Sequence, residues 1–135
     1  MTRVLLTILA FSLAAAPALG EEKEGFKLIK SSELQKMMKT PGSRVAVYDA
    51  NWEGIREKWG MIPGAKPLSK FEFDASKELP ADKSTPLVFY CGNLHCTASH
   101  HAAGIATKAG FTDVSVLSDG IMGWARSGKP VVHPK

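Results

Sequence analysis

Two rhythms of hydrophobic and polar positions run along this chain. Apolar, β-branched or aromatic runs at Lys27–Ile29, Val45–Asp49, Leu87–Tyr90 and Val114–Leu117 have the length and content of strands. Between them the apolar positions recur at helical spacing. Leu34, Met37 and Met38 share one face behind a Ser32–Gln35 capping box, and Pro41-Gly42 stops that segment. The two methionines read as core fillers rather than metal ligands. Asn51 to Lys58 predicts a short helix carrying Trp52, Ile55 and, at its end, Trp59. Ile62-Pro63-Gly64-Ala65 predicts a turn feeding a brief strand, and residues 71–84 are polar, contain proline and read as irregular. A helix over about 98–109 has its apolar stripe at Ala98, Ala102, Ile105, Ala106 and Ala109, with Gly110 as its stop. Ile121 to Ala125 reads as a closing helix.

Strands alternating with helices predict an α/β domain, a parallel five-stranded sheet with helices on both faces. No repeat, low-complexity segment or interdomain linker interrupts it. Residues 1–20 stand apart: Arg3 precedes an apolar run from Val4 to Ala14, Ala18-Leu19-Gly20 forms a small-x-small site, and Glu21, Glu22 and Glu24 follow at once. That layout predicts an export signal, cleaved to leave one domain over 21–135 in a periplasmic or secreted protein. The apolar run is short for a membrane span of ~20 residues, and nothing in 21–135 is expected to cross a membrane. No cysteine follows the run, which argues against a lipid anchor. A domain of this size buries roughly two-thirds of its unfolded surface without help from disulfides. The formal charge of +4 loses one unit with Arg3 and is spread without a basic run, so nucleic acid is not an expected partner.

Cys91 is the candidate for chemistry. It ends the apolar run Leu87–Tyr90 and faces, across a short loop, the start of an alanine-rich helix. Backbone N–H groups and the helix dipole at such a place favour an anion and hence the thiolate. Ligands in parallel sheets bind outside the carboxyl ends of the strands, which is where this thiol falls. Export would place Cys91 and Cys96 in an oxidising compartment, where such pairs are often bridged. A bridge across so short a loop removes little chain entropy, so a reactive pair competes with a structural one.

At this point the pattern resembles the rhodanese (sulfurtransferase) family, from about Phe26 to Val131. Asp49 ends its strand as the family's aspartate does. Gly60-Met61-Ile62-Pro63-Gly64-Ala65 is similar to the family's G-H-I-P-G-A turn, and Val88-Phe89-Tyr90-Cys91 to the strand that delivers its cysteine. Gly110-Phe111 before the next strand, then Gly120, Trp124, Gly128, Pro130 and Val131, resemble the family's ending. The resemblance implies a catalytic Cys91 that takes sulfane sulfur as a persulfide. The loop of Gly92, Asn93, Leu94, His95 and Thr97 would bind the substrate, with backbone N–H groups holding the anionic sulfur. It implies a small sulfane-sulfur donor and a thiol acceptor as partners, and neither metal nor organic cofactor. Asp49 would support the site by hydrogen bonding, or serve only as a strand-end anchor.

Three family cations are replaced. Cys96 holds the arginine position of C-x-x-x-x-R, Asp49-Ala50-Asn51 stands for D-x-R, and Met61 for the histidine of the turn. The loop is also about two residues longer, wide enough for a bulkier substrate. An arginine fork is the efficient holder of a dianion. Its absence favours polysulfide or a persulfide over thiosulfate as donor, and speaks against phosphatase chemistry. Cys96 is either a resolving thiol for a Cys91 persulfide or a loop residue that oxidises onto Cys91. Cys91, His95, Cys96, His100 and His101 form a soft-ligand cluster, so a copper or zinc module is the rival reading, although the spacing matches no metal motif. A catalytically silent domain that binds a partner is the third. His100 and His101 are expected to face solvent, His133 to be inert in the tail, and Trp52, Trp59 and Trp124 to pack in the core or its rim.

Overall fold

The computed structural model describes residues 25–135, and the expected export signal lies outside them. Its strands are β1 (Lys27–Ile29), β2 (Ala46–Asp49), β3 (Lys66–Pro67), β4 (Leu87–Tyr90) and β5 (Val114–Leu117). All pair in parallel in the order β1-β5-β4-β2-β3, which places β4 at the centre between β5 and β2. The helices are α1 (Ser31–Lys39), α2 (Glu53–Trp59), α3 (Ala75–Glu78), α4 (Ala98–Lys108) and α5 (Gly120–Arg126). Among the described residues none is long and apolar enough to cross a membrane.

The period of two along each strand assigns every side chain to a layer. Leu87 and Phe89 of β4 join Tyr48, Val114 and Val116 on one face, closed by Ala102, Ala103 and Ala106 of α4. Val88 and Tyr90 join Val47 and Leu117 on the other face, closed by Leu34 of α1 and by Ile121 and Trp124 of α5. All four residues of β4 are buried, as a central strand covered on both sides requires. The indole N–H of Trp124 donates to the carbonyl of Pro130 at 2.7 Å, and Val132 pairs with Met61, so the tail is fastened across α2.

Several local expectations give way to tertiary contacts. The Ser32–Gln35 capping box does not form: Lys30 occupies the N-cap with no side-chain bond, and Ser31 instead donates its hydroxyl to Asp119 at 2.9 Å. The buried stripe of α4 is rotated to Ser99, Ala102, Ala103 and Ala106, which leaves Ala98, Ile105 and Ala109 half-buried. Segment 71–84 contains one helical turn, α3, capped by the carboxylate of Asp74 accepting from the Ser76 amide. Trp124 and Trp59 pack as expected, but Trp52 stands 72% exposed at the start of α2.

Both tyrosines are buried. Burial pushes the Tyr48 phenol above its ordinary 10.0, with Glu78 adding to the effect; deeper burial, with the Asp49 carboxylate adding to it, pushes Tyr90 further. A raised folded-state value means that the protonated phenol favours the fold fully below pH 10.0 and that this contribution is lost as pH rises above it. Native protein at pH 10.0 is therefore expected to show far less tyrosinate absorbance than the unfolded chain, and stability is expected to fall above that pH. Equal native and unfolded tyrosinate signals would contradict the buried placement.

Candidate functional site

The site begins with an anchor at the end of β2. Asp49 has no solvent exposure. One oxygen accepts the phenol O–H of Tyr90 at 2.7 Å, and the other accepts the Asn51 amide at 2.7 Å with Arg56 Nε 3.5 Å away. Tyr90 in turn accepts the amide of Ile62 at 3.2 Å. The Arg56 guanidinium also donates to the carbonyl of Asn51 and lies 3.4 Å from that of Leu68. Arg56 escaped the sequence reading; its only trace there is a cation one turn into a helix that follows an acidic strand end. Asn51 is buried beside Gly92, so Asp49 reaches the cysteine loop through the turn it holds rather than by touching Cys91.

Cys91 follows β4 directly and is 1% exposed. The carbonyls of Cys91 and Gly92 accept the amides of Ile121 and Met122, at 2.9 and 3.0 Å, from the start of α5. Gly120 makes this possible. Its φ is +60°, and an added Cβ would lie 2.6 Å from the Gly92 carbonyl and 2.7 Å from that of Cys91. The loop then turns on Asn93, whose side chain accepts the His95 amide at 2.9 Å and whose carbonyl accepts the Cys96 amide at 3.2 Å. Those two loop amides are therefore engaged within the turn. Leu94, His95 and Thr97 are exposed, and Thr97 precedes α4 without capping it.

Cys91 and Cys96 are joined as a disulfide, with Cα atoms 6.2 Å apart. Cys96 is the half-buried partner, and Cys91 the buried one. On its inner side Cys91 Sγ lies 3.2 Å from the hydroxyl of Ser99, a 2% exposed residue in the first turn of α4. Ser99 has no role in the sequence reading, because a serine in the first turn of a helix is an ordinary residue there.

Two clefts flank the loop. One, of 490 Å³, is lined by Asn51, Trp52, Arg56, Lys70, Phe71 and Ala98; the other, of 270 Å³, by Leu94, His95, Asp119, Met122 and Arg126. His100 and His101 are half-buried at the surface, each beside an aromatic ring. His100 meets the ring of Phe26 edge-on at 5.5 Å, whereas His101 stacks on Phe71 at 4.0 Å and lies 2.7 Å from Glu72. His133 is exposed in the tail, near the carbonyl of Glu57. Among the described residues no three His, Cys, Asp or Glu side chains converge as metal ligands, so the cluster read in the sequence is divided in space. Met61, at the histidine position, is buried and paired with Val132.

The model of the rhodanese-like domain family matches residues 30–127. The uncharacterized protein YibN of Escherichia coli K12 is 35% identical over 79 residues, 56% of this chain and 53% of that protein, so the chain spans about half the length of the curated relatives it matches. The BH2092 protein from Bacillus halodurans has a similar fold, with a TM-score of 0.69 and 19% identity over 81% of this chain and 77% of its own. A thiosulfate sulfurtransferase from Pseudomonas aeruginosa superposes with a TM-score of 0.64 and 22% identity, covering 82% of this chain and 21% of its own.

Gly120→Ala is expected to lower stability by about 1–3 kcal/mol, read by urea unfolding, because it strains φ and presses on the carbonyls that end β4. In a reduced Cys96→Ser background, Ser99→Ala is expected to slow alkylation of Cys91 near neutral pH by about tenfold, since a hydrogen bond to the thiolate is lost. An unchanged rate would remove Ser99 from the account.

Proposed function

The chain belongs to the rhodanese-like domain family, and within it we propose an exported, single-domain sulfur carrier, residues 21–135, that binds sulfane sulfur on Cys91. The observation that carries this reading is the placement of Cys91: at the end of the central strand, against the Ser99 hydroxyl and facing the first turn of α4. The name of the Pseudomonas aeruginosa relative agrees with the chemistry. In the reduced protein the Cys91 thiolate attacks the terminal sulfur of a donor, forms Cys91–S–S⁻ and expels the shortened donor as an anion. An acceptor thiolate then takes the outer sulfur and restores Cys91. Alternatively Cys96, as resolving thiol, attacks the inner sulfur, expels hydrosulfide and closes the disulfide.

Polysulfide or a persulfide fits this site better than thiosulfate. The guanidinium of Arg56 lies against the Asp49 carboxylate and commits one of its nitrogens to backbone carbonyls, and Cys96 stands where the family's loop arginine would be. Asp49 and the loop residues Gly92, Asn93, Leu94, His95 and Thr97 shape the pocket mouth in this reading. The apolar segment before Glu21 is the basis for export, so protein purified from an exporting host is expected to begin at Glu21.

Reduced protein incubated with polysulfide is expected to gain the mass of one sulfur atom, with a smaller yield from thiosulfate, and Cys91→Ser to gain none. The reading is lost if Cys91→Ser still acquires sulfur while Cys96→Ser does not.

A further inference from the structure

The two sulfurs of the disulfide are unequal, and their inequality sets a direction for chemistry that needs no sulfur donor. Cys91 is 1% exposed, directly after the central strand β4 and with Ser99 of α4 against its sulfur. Cys96 is half-buried in a loop whose neighbours His95 and Thr97 are exposed. An attacking thiolate approaches a disulfide sulfur from the side opposite the bond that breaks. Cys91 offers almost no surface for such an approach, whereas the half-buried Cys96 offers some in an otherwise exposed loop. The departing sulfur matters equally, because a better-stabilised thiolate leaves faster. Cys91 has the Ser99 hydroxyl at 3.2 Å and the first turn of α4 to receive its charge, whereas no side chain is bonded to Cys96 Sγ among the described residues.

We infer that the domain has a thiol–disulfide exchange activity of its own, in which an external thiol enters at Cys96 and Cys91 is the leaving group. In the first step R–S⁻ attacks Cys96 Sγ; the new bond is R–S–S–Cys96, the Cys91–Cys96 bond breaks, and its electron pair goes to Cys91 as thiolate. In the second step another thiolate attacks the R sulfur, forms R–S–S–R and frees Cys96. Two thiols are oxidised to one disulfide and the cysteine pair is reduced by the same two electrons. The activity requires only the bridge, so it stands or falls separately from sulfur transfer. Joined to it, the exchange returns the oxidised pair to the state that accepts sulfur, and makes the acceptor side of the protein a consumer of thiol.

The test uses oxidised full-length protein and glutathione without any sulfur donor. The reaction is quenched with a maleimide in acid and the peptide spanning both cysteines is sequenced by mass spectrometry. Glutathione on Cys96 with maleimide on Cys91 is the expected result; the reverse placement, or a bridge that glutathione leaves closed, overturns the inference. Because the free thiolate could pass glutathione between the two sulfurs, a second measurement removes that route. Thionitrobenzoate is attached to the single thiol of Cys91→Ser and, separately, of Cys96→Ser, and its release by glutathione is followed by absorbance. Release from the Cys96 adduct is expected to be faster by about tenfold or more; equal rates, or a faster Cys91 adduct, overturn it. The sulfur-mass experiment above is indifferent to either outcome, so failure of one reading is not mistaken for failure of the other.

Discussion

Asp49 is a carboxylate without contact to water at the end of β2, and such a group is tolerated only where donors meet its oxygens. Two donors come from separate segments, the phenol of Tyr90 on β4 and the amide of Asn51 in the turn after β2, and the countercharge comes from Arg56 on α2 at 3.5 Å. Tyr90 extends the set to Ile62, beyond α2. One buried charge therefore fixes the ends of two adjacent strands and the helix between them. The turn that places Asn51 beside Gly92 follows from this, and so does the height at which β4 releases the chain at Cys91.

From that point the backbone is held on both sides. The carbonyls of Cys91 and Gly92 are tied to α5, and Ser99 anchors the far end of the loop inside α4. The polar groups in contact with the cysteine are the Ser99 hydroxyl at its sulfur and the Ile121 amide at its carbonyl. The positive charge that a phosphate-binding or thiosulfate-binding loop would place there is instead directed at Asp49 and at carbonyl oxygens. Without a guanidinium fork in the loop itself, a strongly hydrated oxyanion such as thiosulfate loses its efficient holder, whereas the soft terminal sulfur of a polysulfide or persulfide depends less on one, which is the physical ground of the proposed donor class.

Much of this was legible from residue order. Runs such as Leu87–Tyr90 contain apolar side chains on both faces of a strand, and only a central strand covered by helices uses them, so the parallel α/β architecture followed directly. The position of Cys91 at a strand end was equally plain. What escaped depended on partners distant in sequence. The capping box expected at Ser32 is absent because α1 starts earlier, with Lys30 at its N-cap, and the neighbouring Ser31 bonds to Asp119, 88 positions away. Trp52 is apolar and yet exposed, because the turn after Asp49 starts α2 on the solvent side. Arg56 and Ser99 look like ordinary helix residues until the strand ends they serve are brought beside them. The metal-like density of Cys and His between residues 91 and 101 dissolved because aromatic partners, Phe26 and Phe71, separately engage His100 and His101.

The fastening of β4 to α5 has a consequence for how this protein can change over generations. Because the chain is anchored at Cys91–Gly92 and again at Ser99, the intervening residues carry almost none of the sheet's packing, and loop length costs closure entropy only logarithmically. Residues can be inserted or lost between those anchors while the scaffold stays as it is. Substitution is thus free to remodel the mouth of the pocket, in size, polarity and number of thiols, as an interchangeable cassette on an unchanged frame.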